Sequence, residues 1–182
     1  MKRLKLLFLL TLLPFIFISC SYTLLQPTVI NKGDINQYSY FFIQPTETLT
    51  SGTGVTDYFG NYYSKQKSIN PADIITGFLV KKGFVKLLKI DKELLNKTLI
   101  VTYGESGRRN VGFGGYTIEV IIQLIDGEMN SLVTSCVAEG IGSTEADDIR
   151  IAINRCLSSI YGENDLKESI ENENPYYWEE GD

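Results

Sequence analysis

The chain has 182 residues, 43% of them hydrophobic, with 17 basic and 22 acidic residues and a formal net charge of −5. That is enough for one packed domain, and the acidic balance disfavours nucleic acid, whose binding relies on Lys and Arg neutralising phosphates. Histidine is absent, which removes Ser-His and Cys-His nucleophile pairs, His-ligated zinc and the usual neutral-pH general base.

The chain starts with Lys2, Arg3 and Lys5, followed by an apolar run over residues 6–18 broken by Thr11 and Pro14, then Ser19 and Cys20. A basic start, a short apolar stretch and a small residue before the cut are the parts of a secretory signal. The run is too short for a membrane span, which needs about 20 apolar residues. Cys20 directly after Ser19 predicts the lipoprotein version: residues 1–19 removed and Cys20 lipidated. An ordinary cleaved signal is the alternative, and Phe17 stands where Leu is commoner. Ser21 in place of Asp favours the outer membrane over the inner. Durable anchoring takes more than one lipid chain, and bacterial lipoproteins normally carry three. Loss of Lys2, Arg3 and Lys5 leaves 14 basic residues against 22 acidic, so the mature chain carries about −8.

Residues 20–33 read as a tether. Residues 38–44 (YSYFFIQ) predict a strand ended by Pro45. Residues 46–68, rich in Thr, Ser, Gly, Tyr and Asn, read as a long polar loop carrying Tyr58, Phe59, Tyr62 and Tyr63. Asn70-Pro71 starts a helix: Asn70 caps it, Pro71 suits its first turn and Asp73 its positive end. Ile74, Ile75, Phe78 and Leu79 form its apolar face, and Gly83 closes it.

Residues 84–90 and 97–103 predict two further strands. Residues 104–115 (GESGRRNVGFGG) are a hairpin or a flexible connection. Residues 116–125 alternate apolar and polar as a half-buried strand. Asp126-Gly127 begins a tight turn, and residues 132–139 return as the antiparallel partner. Thr144 caps the last helix with Asp147 three residues on, and Ile149, Ala152, Ile153, Cys156, Leu157 and Ile160 form its stripe.

This order predicts an α+β fold: a single two-layer sandwich over residues 34–161, with a mostly antiparallel sheet of four to five strands and two helices on one face. Residues 162–182 are strongly acidic and read as a disordered tail. Trp178, within Pro175-Tyr176-Tyr177-Trp178, is either a short docking motif there, or packs on the domain or stays loose.

Several groups could carry chemistry. Arg108 and Arg109, beside Glu105 among glycines, could hold a phosphate, sulfate or carboxylate; the alternative is a solvated hairpin tip. Glu139, Glu145, Asp147 and Asp148 are explained by helix capping, with a calcium site as the sharper alternative. Tyr58, Tyr62 and Tyr63 could stack on sugars or fold back onto a sheet edge. Cys136 and Cys156 are either bridged or two buried thiols. No cofactor and no metal is expected.

The chain also resembles a broad family of bacterial envelope lipoproteins of unassigned function. The resemblance is carried by Asp34-Ile35-Asn36-Gln37-Tyr38-Ser39-Tyr40-Phe41 with Pro45, by Lys82-Gly83-Phe84, by Leu99-Ile100-Val101-Thr102-Tyr103, and by the final strand pair and helix. It spans about residues 34–160; residues 104–115 and the acidic tail depart from it. It implies a small α+β domain and no catalytic residues.

The resulting expectation is a lipid-anchored, non-enzymatic binding or assembly module at the outer membrane, on its periplasmic face or at the cell surface. It would be held through Cys20 and would contact an envelope protein or a glycan. The alternatives are a glycan- or small-ligand-binding lipoprotein using the tyrosines, and a carboxylate hydrolase using Glu105 or Glu139.

Overall fold

The computed structural model describes residues 23–56, 58–112 and 115–163. Cys20, the signal expected before it, and the expected tail with Trp178 lie outside the described residues.

The fold is α+β. Its elements are β1 (Thr28–Asn31), β2 (Tyr40–Ile43), β3 (Leu49–Thr56), β4 (Tyr62–Ile69), α1 (Pro71–Lys81), β5 (Val85–Lys86), β6 (Thr98–Gly112), β7 (Gly115–Asp126), β8 (Leu132–Gly140) and α2 (Glu145–Ile160), with two short 3-10 turns. A six-stranded sheet has the order β1-β8-β7-β6-β2-β5, and β3–β4 is a separate hairpin. β2 pairs in parallel with both β5 and β6, and the other neighbours are antiparallel.

The sheet is therefore mixed and larger than the expected four to five mostly antiparallel strands. β2 returns to β5 through the hairpin and α1, a crossover long enough for a parallel pair. Residues 28–31, assigned above to the tether, form an edge strand on β8, because β8 offers an open row of backbone groups there. Residues 46–68 are no loop. Their Thr and Tyr residues suit strands, and β3 and β4 pair only with each other over eight registers. The strand expected over residues 84–90 shrinks to Val85–Lys86. β6 continues to Gly112 through the glycines that suggested a connection, with bulges at Glu105/Gly107 and Asn110/Gly112.

Ile118, Val120, Ile122 and Leu124 of β7 face inward, together with Phe41, Leu99, Val101 and Cys136. Ile75 and Leu79 of α1 and Ile149, Ile153 and Leu157 of α2 complete this core, and α2 packs on β7 and β8 beside α1. Asn70 caps α1 by accepting from Ala72 N at 3.0 Å, and Gly83 takes the left-handed conformation that ends it (φ 92°). Thr144 caps α2. Cys136 and Cys156 are joined in a disulfide with Cα atoms 5.6 Å apart.

Both helices run opposite to β8. The end of the sheet where β8 finishes and α2 starts, here the upper end, also carries the β6–β7 turn. At the lower end Asp126 closes the β7–β8 turn: its Oδ1 accepts from Glu128 N and Met129 N, and its Oδ2 accepts from the Tyr38 hydroxyl at 2.6 Å. Burial first, and Asp126 second, push the Tyr38 hydroxyl up to about 12.

Candidate functional site

The upper end gathers most of the residues singled out above, but in pairs rather than as free groups. The bulge at Glu105/Gly107 in β6 brings Arg109 opposite Thr117 on the face away from the helices, where Glu139 of β8 also points. Arg109 grips Glu139 with both prongs: Nε to Oε1 and Nη2 to Oε2, each at 2.6 Å. The Arg109 bond holds the Glu139 carboxyl below its ordinary value against the opposing effect of burial, and the Leu25 amide adds to this. Arg109 is thus occupied by an acid of its own chain. Arg108 pairs with Glu145 and lies over the Tyr116 ring, 4.9 Å from its centre.

Glu105 is exposed, with its Oε1 accepting from Tyr103 at 3.4 Å. It is opposite Val120 on β7, whereas Glu139 is opposite Glu119 on the other face. The structure does not bring these two carboxylates together.

Instead, Glu139 and Arg109 hold the incoming chain. Leu25 N donates to Glu139 Oε2 at 3.1 Å, and Arg109 Nη2 reaches the Thr23 carbonyl at 3.4 Å. From the other face Arg155 of α2 donates to the Leu25 carbonyl at 2.7 Å and to the Glu139 carbonyl. Arg155 was not apparent as a site residue. The available signal is an arginine next to Cys156 of the apolar stripe of α2. Together these groups fix where residues 23–25 leave the domain.

A second cluster fastens the β3–β4 hairpin to the start of α2. Its neck is closed by Thr46 and Asn70, joined at 2.7 and 2.9 Å. Ser51 accepts from Ala146 N at 2.8 Å. Lys67 Nζ contacts both Asp147 oxygens at 2.8 and 2.9 Å, and Asp147 also accepts from Ser143, Thr144 and Arg150. Burial raises the Asp147 carboxyl, but Lys67, Ser143 and Thr144 outweigh it and hold it at about 2. The acids at the start of α2 thus have partners in their own chain.

Asp148 differs. Burial, assisted by the charges of Asp147 and Glu145, pushes it up to about 6 despite the Gly142 amide and Arg108. A carboxyl raised on folding contributes its full stability below its unfolded value near 3.8 and loses it as pH rises through about 6. Asp148→Asn is therefore expected to stabilise the protein at pH 7, by the order of 1–3 kcal/mol, and to have no such effect below about pH 4. Thermal melts of both forms across pH 4–8 check this; an equal gain at pH 4 and 7 would contradict it.

The hairpin carries its aromatic residues at the far tip. Tyr58, Phe59, Tyr62 and Tyr63 are 97%, 85%, 70% and 63% exposed. The Tyr58 and Phe59 rings meet edge to face, 5.9 Å between centres. The Tyr62 ring lies across Gly54, in space that a Cβ there would occupy. The tyrosines therefore project outward and do not fold back on the six-stranded sheet. An open groove of about 290 Å³ lies at the opposite, lower end, lined by Asn31, Asp34, Ile35, Ile160 and Tyr161 among others, and none of the candidate ligand or partner contacts named above lines it.

No protein-family model and no curated protein matches this chain.

Proposed function

We propose that this chain is a lipid-anchored, non-enzymatic protein of the bacterial outer membrane that acts as a binding or assembly module for an envelope protein. The signal pattern ending at Cys20 supports the anchor. The observation that carries the binding reading is the face of the sheet that neither helix covers. Phe42, Ile100 and Ile125 sit in one row across β2, β6 and β7, and Ile121 beside Val137 lies two rows further up, beyond the polar row of Thr102, Gln123 and Ser135. All five are half-buried. Two apolar patches left partly open on a rigid sheet, with a polar row between them, suit a protein contact. The resemblance to envelope lipoproteins agrees with this reading.

The test is a photo-crosslinking residue at Gln123, in the middle of that face, in the native membrane-bound protein and in a Cys20→Ala form. The expected result is one defined envelope protein captured by the anchored chain and lost without the anchor. Capture of no protein by a folded, anchored chain would overturn the reading. Glycan or small-ligand binding by Tyr58, Tyr62 and Tyr63 is the second reading, favoured by their exposure at the hairpin tip, and a glycan screen follows from that outcome.

A further inference from the structure

We infer that the aromatic tip of the β3–β4 hairpin inserts into the interfacial layer of the same membrane that holds Cys20, so that the domain stands on its upper end. This rests on the lipid-anchor reading above.

The chain leaves the domain at Thr23, held by Arg109 of β6. Two residues, Ser21 and Tyr22, separate Thr23 from Cys20, and the three steps between them reach at most about 11 Å. The membrane surface therefore lies close to Arg109. The hairpin departs from the same place. Ser51 is bonded to the first turn of α2, Lys67 is ion-paired there with Asp147, and Glu145 of that turn pairs with Arg108, the neighbour of Arg109. From the Ser51–Lys67 register the strands continue five residues to Thr56–Tyr62, a further ~17 Å of projection. Anchor exit and hairpin base thus share one end of the molecule, and the hairpin is long enough to span the gap that the tether leaves.

The chemistry of the tip fits a lipid surface. Tyr and Phe rings combine an apolar body with tolerance of the headgroup layer, which is why aromatic residues concentrate there in membrane proteins. The whole chain is acidic, yet residues 49–69 contain one acid, Asp57, against two lysines, Lys65 and Lys67. Headgroups therefore do not repel the tip. The covalent anchor already confines the domain to the surface, so a weak aromatic contact suffices to set its orientation.

The experiment uses the full lipidated chain in phosphatidylcholine vesicles. A nitroxide is placed on Thr56→Cys, which keeps all four aromatic residues, or on Met129→Cys, in the exposed turn at the lower end. Cys136 and Cys156 are bridged and Cys20 carries lipid, so each variant has one free thiol. Accessibility to oxygen and to a water-soluble nickel complex reports depth, and intact mass reports the lipid on Cys20.

The expected result is an oxygen-to-nickel ratio several-fold higher at position 56 than at position 129. Equal, water-like ratios at both positions with lipid present on Cys20 would overturn the inference and leave the anchor reading intact. So would a water-like position 56 that becomes shielded when an envelope protein or a glycan is added. Absence of lipid on Cys20 would overturn both readings.

Discussion

Gly140→Ala is expected to cost about 3 kcal/mol or more, at the upper end of overpacking effects, and to lower the melting temperature by about 10 °C. Gly140 ends β8 where α2 crosses it. A Cβ there would overlap the Asp148 carbonyl oxygen and stand 2.7 Å from Ala152 N. Both are backbone atoms of a helix, so no side chain can rotate aside and α2 itself must move. That helix places Ile149, Ile153, Cys156 and Leu157 in the core with no exposed surface, and a close-packed interior does not absorb such a shift. Thermal and urea melts measure the loss. A melting temperature within about 2 °C of the native protein would mean that α2 does not approach β8 this closely.

Removing the disulfide is expected to cost as much. Cys136 and Cys156 are separated by 20 residues, and bridging a loop of that size restricts the unfolded chain by about 3 kcal/mol. Both sulfurs are fully buried between β8 and α2, so the Cys136→Ala/Cys156→Ala form also loses packing atoms. The native bridge should resist reductant until the domain opens. The decisive readings are the melting temperature of the double variant and the rate of thiol release under dithiothreitol with and without denaturant. Rapid release from the folded protein, or two free thiols in oxidised protein, would contradict the account.

Much of the fold is legible in the sequence where a local pattern carries it. β7 and β8 follow from alternation and the Asp126 turn, and α1 and α2 from Asn70, Thr144 and their apolar stripes. The missed elements lack such a pattern. β1 has only four residues after Pro27 and owes its existence to β8, a hundred residues away. β3 and β4 are polar on both faces and build a hairpin outside the main sheet, so no buried alternation marks them. The extension of β6 is hidden by Gly104 and Gly107, which the bulge and the strand accommodate.

The site follows the same logic. Arg109 and Glu139 could each be named from their positions, but their pairing spans thirty residues and depends on the register of three strands. Arg155 could not be assigned before α2 was placed against residue 25. The tyrosines of the hairpin were visible as aromatic residues in a polar stretch. That they stand exposed on a hairpin fastened at the end where residues 23–25 are held is a property of topology alone.

The account depends most on the anchor. Its most direct test is mass spectrometry of the N-terminal peptide of the protein recovered from membrane fractions of the cells that make it. The account predicts a chain beginning at Cys20, with a diacylglyceryl group on the sulfur and an acyl chain on the new amino terminus. A chain that begins elsewhere, or an unmodified Cys20 in a soluble fraction, would contradict it.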